Sequence, residues 1–489
     1  MTSRDSRTSL RAVALGVLAL AGLASAASGQ EPLTLQQAVI RAQEHGYQAQ
    51  AARSARDAAR FRDDGFSARL MPQLSLGGTL PRYNRSIIPV VQPDGSTLFR
   101  PLDQTNAELT ATLSQRLPTG GDVFITSSLA TLSVTGDQSI RTWSSTPVSV
   151  GLRHQLFRPN ITGLDRREQP IRTQLAEREY LEAREAIALQ TTNLFFDVYA
   201  SRVQLANAVT NVAVNDTLYT LNKGRYDVGK IGENDLLQSE LALLRARTAV
   251  DGARLEHERA KAALRLALAL PADAPVDVVV SPDVPGYAVD TAVAVTEAYR
   301  NRATTSDVAL REMQAERRVK EAKLNSGFGA TVEASFGFNA TAPDVNLAYR
   351  NLLEARQVAV GVEIPLVQWG AGRANVRAAQ ADQAQAASTG RATLEQAAQD
   401  ARFAALELEQ SRRILAISAK SDTVAAKRFE VAYNRYVIGR ITIDNLYLAQ
   451  SEKDQALTQY VQALRGHWAA HYRLRRLTLY DFETGRAIQ

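Results

Sequence analysis

Apolar residues alternate with polar ones at a period of two in four stretches of the chain. From Gln357 to Leu366, QVAVGVEIPL places Val358, Val360, Val362, Ile364 and Leu366 on one side, which predicts a strand with a single apolar face. VSVGLRHQLF repeats the pattern through Val148, Val150, Leu152 and Leu156, and its Gly151 stands 210 positions before Gly361. PQLSLGGTL alternates through Leu74, Leu76 and Leu80, and TVEASFGF through Val332, Ala334, Phe336 and Phe338. Strands are therefore expected at about 72–157 and about 330–367, two signals in each half.

Elsewhere the period is helical. The span from about Asp165 to Asn222 has no proline beyond Pro170, and Arg373 to Tyr436 has none. As one helix the latter would run roughly 90 to 100 Å at 1.5 Å per residue. Return helices are expected over Glu233–Leu268 and Asp444–Leu477. Their apolar seams are narrow and rich in small residues: Ala456, Ala463 and Ala470 recur every seven positions beside Leu457, Tyr460 and Leu464. The rest of the helical surface is polar, which fits a wall wetted on both sides.

Two nearly identical stretches join the outgoing and returning helices. RYDVGKIGENDLLQSE begins at Arg225 and RYVIGRITIDNLYLAQ at Arg435, again 210 positions apart. Arg225 and Arg435 suit the negative end of a helix dipole, and Gly229 and Gly439 suit the left-handed turn that ends a helix. With Gly232 and Thr442 as N-caps, Ile231 and Ile441 face Leu236 and Leu446 at the spacing of a hydrophobic staple. Each stretch thus predicts the tip of a helical hairpin. Upstream, LTLQQAVIRAQEHG and VAVTEAYRNRATTS open short helices at an offset of 260, so the first half carries roughly 50 extra residues between Leu80 and Val148. That segment holds PDGS, LPTGGD and TGDQ, which is turn chemistry and predicts longer loops or an added hairpin.

The layout that follows is an internal duplication. Residues 30–270 form a first repeat, with its long hairpin at about 165–270. Residues 271–290 are a proline-rich joint, and residues 291–478 form a second repeat, with its hairpin at about 372–478. A tail of 479–489 ends the chain. Residues 1–29 read as a secretory signal: Arg4, Arg7 and Arg11, an apolar run from Ala12 to Leu23, then small residues. Removing it lowers the formal charge from +6 to about +4, too mild an excess to imply nucleic acid. The chain has no cysteine, so it has neither disulfides nor a thiolate metal site. No later stretch is apolar enough for a transmembrane helix, and any contact with a membrane falls to the strands.

The duplicated layout, the two tips and the passage VEIPLVQWGAGRANVRAAQ from Val362 to Gln380 resemble the TolC-like outer-membrane efflux proteins. The resemblance implies an α+β membrane protein: a homotrimer whose protomers each give about four strands to a shared outer-membrane β-barrel, continued by a periplasmic α-helical barrel. It implies the exit duct of a tripartite efflux or type I secretion system. The partners would be outer-membrane lipid, a periplasmic adaptor (membrane fusion) protein and an inner-membrane transporter of the RND or ABC type. In that family the tips close the tunnel and dock the adaptor. By motif position, Asp235 and Asn445 fall where acidic groups line the constriction, and Tyr436, Arg440 and Asp444 are gate candidates. Arg225, Tyr226, Gly229, Arg435 and Gly439 form the docking motif. The second tip departs from the pattern, with its acid one position early at Asp444 and Leu448 on the next turn. That argues against a double acidic ring. The competing reading of these residues is ordinary helix capping.

Trp369 suits the periplasmic membrane interface, or else ordinary packing. His467 and His471 stand four apart on a helix, a spacing that could share zinc, but no third ligand accompanies them and the seam around them favours packing. No phosphate loop and no nucleophilic serine motif occur. Neither an enzyme nor a cofactor is expected. The alternative is an exported periplasmic coiled-coil scaffold or adaptor without a pore, which would need a second sheet to cover the apolar strand faces.

Overall fold

Alternation and helical period sort the chain as the residues dictate. The structure, a computed structural model, describes residues 32–135, 139–281 and 284–489. The expected signal segment, most of the TGDQ turn and part of the proline-rich joint lie outside the described residues. The element order is α1 (Leu35–His45), α2 (Tyr47–Arg69), β1 (Gln73–Val91), β2 (Thr97–Arg116), β3 (Asp122–Thr135), β4 (Ile140–Leu156), α3 (Ile161–Asp227) and α4 (Glu233–Ala267). It continues with α5 (Thr291–Asn301), α6 (Ala303–Asn325), β5 (Gly329–Ala342), β6 (Leu353–Glu363), α7 (Ala371–Val437) and α8 (Ile443–Thr478). A hairpin of β7 (Tyr480–Asp481) and β8 (Arg486–Ala487) ends the chain. The sequence helix, helix, strands, long helix, helix is thus written twice.

Two compact units result. One comprises the residues through Gln50, Arg184–Ala288 and Glu407–Arg473. Its core gathers Phe195, Phe196, Val198, Leu264 and Leu268. Onto this packs the apolar stripe of α1, with Leu35, Ala38, Val39 and Ala42 at helical spacing. Thr34 and Gln37 close a capping box at the start of α1. Leu33 then bridges to Val278 as a short parallel pair.

The other unit comprises Ala51–Ala183, Val289–Leu406 and Leu474–Gln489 and holds the sheet. Six strands pair in chain order, β1 to β6, all antiparallel. The expectation of about four strands per chain is corrected here: the extra residues of the first half form the added hairpin β2–β3, not longer loops. The register shifts of the β1–β2, β3–β4 and β4–β5 pairs flank Pro81 or Pro147, which cannot donate to the ladder and so sit where it is interrupted. β6 ends at Glu363, short of the expected Leu366, because Ile364 precedes Pro365 and the ladder cannot run through that ring. Below the sheet, Arg317 of α6 donates to Asp165 at 2.7 Å, to Glu168 at 2.9 Å and to Glu321 at 2.7 Å. Glu168 is 2% exposed, yet Arg317 and Arg172 outweigh its burial and hold its carboxyl below the usual range. Arg158 ties Glu363 at 2.6 Å and the carbonyls of Leu324 and Asn325, which fastens the strand ends to α6.

Candidate functional site

The two hairpin tips lie in the first unit and are built alike. Five residues join α3 to α4, and five join α7 to α8. Gly229 has φ +72° and Gly439 φ +75°, conformations that other L-residues adopt only with strain. At the first tip the Lys230 amide donates to the Arg225 carbonyl and the Gly229 amide to that of Tyr226, both at 2.8 Å. Arg440 to Arg435 and Gly439 to Tyr436 repeat this at 2.9 Å. Both are Schellman closures, which satisfy the last carbonyls of each helix.

Between the tips lies a small core of Leu218, Ala432, Tyr436, Ile443, Leu446 and Ala449. Ile441 packs against it, so Ile441 and Leu446 make the staple at the start of α8. Tyr436 is 4% exposed and donates its hydroxyl to Asn222 Oδ1 at 2.6 Å. Burial raises its pKa, as it does that of Tyr447, which is pushed up to about 12. The Arg225 guanidinium lies 5.2 Å from the Tyr436 ring centroid and donates to the carbonyls of Val437 at 2.8 Å and Tyr436 at 3.2 Å. One arginine thus caps the helix of the other tip and stacks on its tyrosine. Gln238 of α4 reaches Asp444 of α8 at 2.8 Å.

These contacts bring Arg225 and Tyr436 together from different hairpins of one chain, while Asp444 meets Gln238 instead. Asn445 instead donates to Thr442 Oγ1 at 3.0 Å and is engaged at the start of its own helix. Asp235 is half-buried at the first turn of α4, and Arg435 and Arg440 are exposed. Tyr226 is 41% exposed, and Val228 and Ile438 more so. Asn222 and Gln238 were not singled out from the sequence, since position 432, which answers Asn222 in the second copy, is alanine and the repeat gives no signal there.

Further up the hairpins, Ser201 Oγ lies 3.0 Å from His257 Nδ1, and Ser411 Oγ lies 3.0 Å from His467 Nδ1. Both members are again 210 positions apart, a repeat that the spacing alone reveals. Burial lowers the pKa of both imidazoles, which favours their neutral form. His471 takes a different partner, Tyr287 Oη at 2.6 Å. The two histidines of the i, i+4 pair are therefore each engaged by a separate hydroxyl.

The chain matches no protein-family model and no curated protein. Its fold is similar to those of solved outer-membrane proteins. The Campylobacter jejuni CmeC outer membrane channel is 14% identical at a TM-score of 0.66, covering 93% of this chain and 87% of that one. The outer-membrane channel OprN is 16% identical at a TM-score of 0.65, covering 92% and 90%. The outer membrane protein VceC from Vibrio cholerae is 14% identical at a TM-score of 0.64, covering 91% and 95%. At such identities the likeness establishes architecture, and that architecture is the TolC-like fold of outer-membrane channels.

Proposed function

We propose that the protein is an outer-membrane exit duct, through which substrates pass passively from a periplasmic adaptor and an inner-membrane pump of a tripartite efflux or type I secretion system. The observation that carries this reading is the sheet. Its side chains alternate in register, and large apolar residues stand bare on one face: Leu74 is 76% exposed and Val358 77%. No described helix is long and apolar enough to cross a membrane, so a lipid-facing barrel is the cover that fits the exposed strands. Trp369, 97% exposed just past β6, suits an interfacial anchor.

Three copies would close the barrel. The tips would then close the duct, with Asp235 and Asp444 lending negative charge to the constriction, Tyr436 and Arg225 fixing one hairpin against the other, and Arg440 and Asn445 on the exposed rim. Exposed Tyr226, Val228 and Ile438, framed by Gly229, Arg435 and Gly439, offer an adaptor its contact. Fractionating cells that express the full precursor and weighing the detergent-extracted protein tests this. A trimer from the outer membrane that conducts ions across a planar bilayer without an energy source is expected. A soluble periplasmic monomer or dimer would overturn the duct and leave a coiled-coil scaffold.

A further inference from the structure

We infer that the inserted hairpin β2–β3 belongs to the membrane wall itself, so that three copies of this chain enclose the barrel with eighteen strands rather than twelve. This rests on the duct reading and adds to it the make-up of the wall.

The register argues first. Reading across the sheet, Leu74, Leu113, Ile125, Val150 and Phe336 pair in one row. The adjacent row is Ser75, Thr112, Thr126, Ser149 and Gly337, and its side chains point to the other face. Along this row the apolar face therefore passes through β2 and β3 in step with β1, β4 and β5. A flap with water on both sides would have no reason to match its neighbours' phase. A slip of one residue would turn Leu109 and Leu113 of β2, or Ile125 and Leu129 of β3, to the polar side.

The ends of the hairpin agree. Its turn nearest the helices, Leu117–Gly121, is fixed by one side chain: Asn160 donates to the Pro118 carbonyl at 2.7 Å and accepts from the Gly163 amide at 2.8 Å in the first turn of α3. Gly120 sits at φ +97°, and a Cβ on Gly121 would meet His154 Nδ1 at 2.3 Å. The turn is thus seated in the scaffold. At the opposite end, on the apolar face, Tyr83 donates to Asp103 at 2.9 Å and Arg85 lies 3.3 Å from it. Asp103 and Arg85 thus pair their charges at that end, where headgroups would begin, while in β6 Arg356 continues the row of Phe336 and lies over its ring.

Parity completes the case. Six alternating strands leave β1 and β6 as edges that run in opposite directions. β6 of one copy can therefore pair antiparallel with β1 of the next, and the ring closes without an open edge. At about 4.8 Å between strands and a tilt near 40°, eighteen strands make a ring about 36 Å across and twelve about 24 Å.

The chain has no cysteine, so single cysteines report cleanly. In full-length protein in outer-membrane vesicles, a fluorophore attached to single cysteines at Leu109, Ala111 and Leu113 should be quenched by a lipid-borne quencher. Those at Thr110, Thr112 and Ser114 should react with a water-soluble thiol reagent, by at least fivefold over their neighbours. Val358, Val360 and Val362 against Ala359 and Gly361 in β6 supply the reference alternation. Alternation in β6 with uniform water labelling of β2 would overturn the eighteen-strand wall while sparing the duct. Loss of alternation in both strands would overturn the duct reading as well. Paired cysteines, one among Gln73, Ser75 and Gly77 and one among Gln357, Ala359 and Gly361, should oxidise to covalent trimers. A trimeric protein that gives no adduct at any pairing would overturn closure through β1 and β6.

Discussion

The two tips carry the same letters and do different work. Tyr436 is 4% exposed and Tyr226 is 41% exposed. Leu446 is fully buried, while Leu236, its counterpart, is half-buried. His467 is buried and His257 only partly so. Within one chain the second hairpin finds Asn222, Arg225 and Leu218 of the first on its flank. The matching flank of the first hairpin is open, and Leu237, Leu241 and Leu244 of α4 stand about half exposed at seam spacing. A repeated sequence therefore sets equal local geometry, seen in the two Schellman turns. Its energetics depend on which neighbour the chain supplies.

Replacing each tyrosine by alanine breaks that comparison most sharply. Tyr436→Ala removes a buried ring, its hydroxyl bond and the platform for Arg225, and should cost about 3 to 5 kcal/mol. Tyr226→Ala should stay within about 0.5 kcal/mol in the isolated protomer. Thermal unfolding followed by circular dichroism reads both, and equal losses would mean that burial in the assembly has already erased the difference. Asn222→Ala comes next. It leaves the Tyr436 hydroxyl buried without its acceptor and should cost about 1 to 3 kcal/mol. Adding Tyr436→Phe to that variant should recover part of the loss, and strictly additive losses would show that the bond contributes nothing of its own.

The serine–histidine pairs sharpen the comparison through pH. Burial lowers the folded-state pKa of His257 and His467, so the folded chain holds fewer protons than the unfolded one. Stability is then complete above the unfolded value of about 6.5 and falls as the pH drops below it, by up to about 1.4 kcal/mol per pH unit for one fully coupled histidine. His467→Gln should flatten the acid limb of an unfolding titration more than His257→Gln, because His467 is the more buried. An equal effect would count against a difference between the copies at this level.

Much of this was legible in the letters. The tips, the long helices and the strand signals at β1, β4, β5 and β6 follow from period and turn chemistry. β2 was less legible because Ala107, Leu109, Ala111 and Leu113 alternate with threonine and glutamate at low hydropathy, inside a segment whose glycines and prolines advertise turns. β3 is harder still, since Phe124, Leu132 and Val134 put apolar groups on the polar side as well. At the tip, position Tyr436 was visible but its partner was not. Asn222 lies 214 residues away, and the second repeat holds no asparagine at the matching place to give it away.

The smallest effect concerns the rim. Asp444 is exposed and, among the described residues, accepts from Gln238, and Arg440 is exposed beside the turn. Removing either side chain should change stability by less than about 0.5 kcal/mol, because exposed charges are well screened. If, on the proposed duct reading, these groups also hold neighbouring hairpins together, Arg440→Ala with Asp444→Ala should raise the resting conductance of the protein in a planar bilayer. That increase should shrink at high salt in the unmodified protein's comparison, where screening already weakens the same contacts. An unchanged conductance with unchanged stability would reduce both residues to helix capping and, on the duct reading, leave any closure to the buried tyrosine and its arginine.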